Sequence, residues 1–255
     1  MRPLRSIKVA DLFTLANGML GFMAITYIID RNFMLAAFLI LIAMVMDGLD
    51  GYFARKLGTE RAIGRVLDSI SDSISFCIAP ALLVYGIFYR KGVGLDYFTM
   101  DVLQNFLTIA ASAMLAIFGI VRLVRYTRDD FAEDNFLGIP TPATALAVIL
   151  LAYLFSGSGG SFFALYYMPY FVLPACIALS ILMVSDVPYP KARGWVQKAT
   201  LAGIVLAAIP AIIAVFDVDW SIRTLRAFSI AAFALIFAYV IGGPIVAWQT
   251  KKKKG

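Results

Sequence analysis

The pattern along this chain is a succession of long apolar runs separated by short polar, often basic, segments. Helical spans are predicted at about 11–29, 32–54, a third ending near Tyr89, 103–124, 141–155, 163–184, 198–216 and 224–247. Most reach the roughly 17–25 residues a helix needs to cross a bilayer, the fifth being short. Pro80, Pro174, Pro210 and Pro244 fall inside these runs, where kinks are expected. No internal repeat and no separate soluble domain interrupts the series. The first run lacks a small-residue cleavage site and reads as a permanent helix. The expected fold class is an all-α integral membrane protein of about eight transmembrane helices.

Composition agrees. The 255 residues are 62% hydrophobic and 15% charged, with a mean hydropathy of +0.86, against about 25% charged residues in an average soluble domain. Cys77 and Cys176 both lie within apolar runs, which argues for helix packing over a disulfide framework. The net charge of +6 does not point to nucleic acid, because the basic residues sit at the ends of apolar runs and form no patch. It points to topology. With the N-terminus inside, seventeen of the twenty-two lysines and arginines fall on inner segments, and only Arg31, Arg90, Lys91, Arg223 and Arg226 fall outside. Both termini are then cytoplasmic in a multi-pass protein of the cell membrane. The terminal lysines 251–254 serve as a stop signal for the last helix or as a contact for anionic lipid.

Candidate chemistry is concentrated between Asp47 and Asp72, DGLDGYFARKLGTERAIGRVLDSISD. Asp47 and Asp50 are three apart and share one helix face; Gly64, Asp68 and Asp72 recur every four residues and share a face of the next helix. Burying four such acids together costs several kcal/mol per ion unless cations neutralise them. Oxygen ligands without His or Cys suit hard divalent metals such as Mg²⁺ or Mn²⁺. Gly51 and Gly64 allow a ligand close to the backbone, and Arg55 is placed to meet a phosphate. Asp11, Thr14 and Asn17 share one face of the first span. A cation transporter is the rival class, since acids inside spans often mark ion pathways. It would place them near the midplane with broken helices in matching halves, whereas these cluster toward one surface, the cytoplasmic one.

The spacing Asp47-x2-Asp50-Gly51-x2-Ala54-Arg55-x8-Gly64-x3-Asp68-x3-Asp72 resembles, at every position, the signature of the CDP-alcohol phosphatidyltransferases, integral membrane enzymes of phospholipid synthesis. The resemblance implies a core of six transmembrane helices, here residues 1–185, with residues 186–255 adding two helices and a basic tail. It implies a homodimer among membrane lipids, and a reaction in which an alcohol hydroxyl attacks a CDP-linked lipid and expels CMP with the help of two divalent cations. Asp47, Asp50, Asp68 and Asp72 then correspond to metal ligands, Asp72 also to the general base. Asp11, Thr14, Gly51, Ala54, Arg55, Arg61 and Gly64 correspond to contacts with the CDP-lipid. The chain departs from relatives in having Ala10, where many carry Pro, and Arg61, where many carry Ser or Thr.

The segments from Leu67 to Gly86 and from Arg122 to Ala145, the latter with an FxGxPxP element, resemble the phosphatidylserine synthase branch. This implies L-serine as acceptor and CDP-diacylglycerol or CDP-archaeol as donor, with glycerol 3-phosphate or inositol phosphate as the alternative acceptors. Arg122, Arg125 and Thr141 are then candidates for holding serine. The two arginines are equally well read as positive-inside residues meeting headgroups.

Overall fold

The structure is a computed structural model that describes residues 9–58, 62–92, 100–128, 135–155 and 169–190, with scattered positions between 234 and 244. Helix α1 (Val9–Ile29) and α2 (Phe33–Leu57) form a tight antiparallel hairpin. Its turn closes α1 with Asn32 N–H on Tyr27 O at 2.8 Å and Arg31 N–H on Ile28 O at 3.0 Å, Arg31 itself taking the left-handed φ of 60°. Asn32 Oδ1 then accepts from Leu35 N–H at 3.2 Å and caps α2.

The third span is a single path through α3 (Ala62–Asp72), a π turn (Ser73–Ile78) and α4 (Ala79–Phe88). Pro80 accounts for the wider turn. Its ring crowds the carbonyl four residues back and it has no N–H to donate, so the chain relaxes, and Ala79 N–H reaches Ile74 O. Helix α5 (Met100–Arg128) runs back along α4, and α6 (Thr141–Phe155) and α7 (Pro169–Val184) complete the bundle. Helices α1, α2, α3–α4 and α5 are long and apolar enough to cross a membrane, while α6 and α7 are shorter apolar helices.

Four of the expected spans are thus present at full length, and the fifth and sixth correspond to α6 and α7. The seventh and eighth, at 198–216 and 224–247, lie outside the described residues apart from those scattered positions. One departure from the all-α expectation is a short antiparallel ribbon pairing β1 (Asn135–Leu137) with β2 (Pro188–Pro190). Tyr126 clamps it, its hydroxyl donating to Leu137 O and accepting from Leu137 N–H. Gly138 follows at φ +74°, where an added Cβ would sit 2.3 Å from Met183 O; only glycine passes there.

Large apolar side chains are turned outward in helical stripes, Leu12, Leu15, Met19 and Phe22 on α1 and Phe106, Ile109, Ile117 and Val124 on α5. Polar ones are turned inward, including Thr14, Asn17, Ser71, Asp72 and Ser75. Helix α3 shows this inversion best, with Ile63, Val66 and Ile70 exposed and its acids facing its neighbours. That is the arrangement lipid demands and water forbids.

Candidate active site

Near its C-terminal end α2 carries Asp47 and Asp50 one turn apart, and α3 brings Asp68 to them. One oxygen from each lies within 4.8 Å of the others. Oxygens bound to a hard divalent ion sit about 2.0–2.6 Å from it, so a triangle of this size closes around one ion after small side-chain adjustments. Asp68 Oδ1 is buried without a hydrogen-bond partner among the described residues. A bare buried oxygen is costly, and a cation held by Asp68 would offset that cost. The donor set therefore fits a divalent metal.

Asp72 lies one turn beyond Asp68, buried, and outside that triangle. It feels the charge of all three other aspartates, but its Oδ1 accepts from Asn17 Nδ2 at 2.9 Å. The polar face of α1 supplies the supporting contacts. Thr14 Oγ1, a candidate nucleotide contact, is 2.7 Å from Asp50 Oδ2 and donates to it. Asp11 faces Gly64, where a Cβ would meet its Oδ1 at 3.7 Å, so the two candidates are brought together across α1 and α3. Gly51 and Ala54 continue α2 past Asp50, both half-buried. The side chain of Arg55 and the whole of Arg61 lie outside the described residues.

On the other side of α3–α4, Arg122 is buried on α5. Its guanidinium lies 4.7 Å over the Tyr126 ring, and Nη1 donates to Thr141 Oγ1 at 3.3 Å. Arg125 goes elsewhere, pairing with exposed Asp186 at 2.8 Å. The structure thus groups Arg122 with Thr141 and separates Arg125 from them. Both cysteines are buried free thiols.

Asn17, Ser75 and Tyr126 were not among the candidate site residues. The one signal for Asn17 is its place three residues after Thr14 on the polar face of an otherwise apolar helix. Ser75 and Tyr126 carry no such mark, since their roles arise from partners far along the chain.

A membrane-spanning bundle that gathers carboxylates from two spans defines a membrane-embedded site suited to a hard divalent cation. Comparison with known proteins narrows the class. The profile described as CDP-alcohol phosphatidyltransferase matches residues 7–182, and the chain belongs to that family. It is 33% identical over 189 residues to the CDP-diacylglycerol--serine O-phosphatidyltransferase of Helicobacter pylori, covering 71% of each chain. It is 31% identical over 190 residues to the archaetidylserine synthase of Methanothermobacter thermautotrophicus, covering 74% of this chain and 72% of that one. The Bacillus subtilis enzyme with the same name as the Helicobacter one is 27% identical over 179 residues, 70% of this chain and 88% of its own. Family membership displaces the transporter reading.

Proposed function

We propose that this protein transfers the phosphatidyl group of CDP-diacylglycerol, or the archaetidyl group of CDP-archaeol, to the hydroxyl of L-serine and releases CMP, using two divalent cations, Mg²⁺ or Mn²⁺. The observation that carries the reading is the triangle of Asp47, Asp50 and Asp68 with its bare Asp68 oxygen, standing beside a fourth carboxylate tied up differently. Serine as acceptor is supported by the names of the relatives and by the pairing of buried Arg122 with Thr141.

In this reading the serine oxygen bonds to the phosphorus that carries the lipid as the bond from that phosphorus to the CMP oxygen breaks. When bound, the cations neutralise the diphosphate and the charge developing on the leaving group. Asp72 takes the serine proton; a carboxylate is a weak base for an alcohol, so its position must supply much of the effect. Asp11, Thr14, Gly51, Ala54, Arg55, Arg61 and Gly64 serve the nucleotide and diphosphate. Arg122 receives the serine carboxylate through charge-assisted hydrogen bonds. Residues 1–185 form the catalytic core of a homodimer and residues 186–255 an addition, a division supported by the end of the family match at residue 182. Both termini and the site face the cytoplasm.

CMP release from CDP-diacylglycerol and from CDP-archaeol is the test, with serine, glycerol 3-phosphate, inositol phosphate and choline offered in parallel, with Mg²⁺, Mn²⁺ or chelator. Serine is expected to react and chelator to stop the reaction; turnover with another alcohol but not serine overturns the acceptor. Arg122→Ala is expected to raise the KM for serine about 10- to 100-fold, the worth of a hydrogen bond to a charged group, with little change for the CDP-lipid. An unchanged serine KM returns Arg122 to a topological role.

A further inference from the structure

Asp47, Asp50, Asp68 and Asp72 are chemically identical, so what gives them different tasks has to lie in their partners. Asp50 receives the Thr14 hydroxyl, Asp68 has one buried oxygen without a partner among the described residues, and Asp72 receives an amide. That amide belongs to Asn17, which is fully buried at 0% exposure and uses both ends of its side chain. Nδ2 donates to Asp72 Oδ1 at 2.9 Å, while Oδ1 lies 2.7 Å from Ser75 Oγ. Only one orientation of the amide suits an ionised Asp72. The flipped amide would set two acceptor oxygens 2.9 Å apart, whereas the observed one turns a donor to the carboxylate; Ser75 Oγ, with one proton to give, stands 2.7 Å from both Asn17 Oδ1 and Ser71 O.

The backbone is arranged to make this short side chain reach. A Cβ at Gly21 would stand 2.7 Å from Ser75 Cα, and one at Gly18 would stand 2.9 Å from Ser71 Oγ. Helix α1 therefore lies directly against the end of α3 and the π turn, and Ser75 belongs to that turn.

We propose that Asn17 is the positioning residue that orients Asp72 for proton transfer, with Ser75 of the π turn holding the amide. The inference rests on the reading of Asp72 as proton acceptor. With Oδ1 committed to Asn17, Oδ2 takes the proton.

The test uses the full-length enzyme in detergent with Asn17→Ala, the near-isosteric Asn17→Leu and Ser75→Ala. Four quantities are read: kcat, the KM for CDP-diacylglycerol, the affinity of the metal-stripped protein for Mn²⁺, and the shift in melting temperature on adding CDP-diacylglycerol. Misplacing a reacting group by about 1 Å costs about 10²-fold, so kcat is expected to fall about 10²-fold in both Asn17 variants and about 10-fold in Ser75→Ala. The KM, the Mn²⁺ affinity and the melting shift are expected to stay within about threefold of wild type. If Asn17→Ala fails to fold, Asn17→Leu keeps the volume and Ser75→Ala removes one hydroxyl, and these two carry the result. A kcat near wild type in the folded Asn17 variants, or loss of Mn²⁺ affinity in step with kcat, overturns the proposal. Asp72→Asn is the control: turnover surviving in it removes the proton-acceptor reading itself, while an inactive Asp72→Asn beside a normal Asn17→Leu removes only the role of Asn17.

Discussion

Where α4 meets α5, polar side chains close the backbone. Gln104 Nε2 donates to Phe88 O at 2.7 Å; Asn105 accepts from Arg90 N–H at 2.8 Å and donates to Arg90 O at 2.9 Å; and Arg90 pairs with Asp101 at 2.7 Å. At the other end of the same span, twenty residues and about 30 Å along the helix path, α1, α2 and α3 gather like charges and leave an oxygen bare. The first end satisfies its polar groups and gains stability. The second withholds satisfaction until a ligand arrives.

Asp68→Asn tests the contrast most severely. Several kcal/mol of charge stabilisation depends on the triangle, so turnover should fall about 10³-fold or more and Mn²⁺ affinity should drop in a binding titration. The metal-free protein should melt higher than wild type, because one charge leaves a repelling buried group. A lower metal-free melting temperature would mean that the triangle is part of the scaffold. At the other end the signs reverse. Gln104→Ala leaves the Phe88 carbonyl without this donor and should cost about 1–3 kcal/mol of stability, while turnover per folded molecule stays near wild type; a loss of turnover would show that the two ends are coupled. The smallest effect belongs to Arg90→Ala, whose partly exposed ion pair should be worth under about 1 kcal/mol and fade with salt, as thermal melts in low and high salt would report.

Much of the site was legible in the chain because helical periodicity translates spacing into position. Asp47 and Asp50 had to share a face, as did Asp68 and Asp72, and Asp11, Thr14 and Asn17 had to share another. The apolar runs marked α1, α2, α3–α4 and α5 for the same reason. Arg122 and Arg125 were read as a pair, three residues apart, yet the fold gives Arg122 to Thr141 and Tyr126 and Arg125 to Asp186. The β1–β2 ribbon was likewise invisible, because two three-residue strands some fifty residues apart carry no periodic signal.

The amino-acid sequence by itself determined a lipid-embedded helical protein with two carboxylates on each of two helices, because apolar length and the 3.6-residue repeat are local properties. Tertiary structure alone decided which three acids converge, that Thr14 serves Asp50, and that Asn17 and a proline-induced π turn single out Asp72. Those assignments depend on how closely α1 approaches α3, and that distance is set by glycines on one helix meeting serines on another, a match between residues more than fifty positions apart.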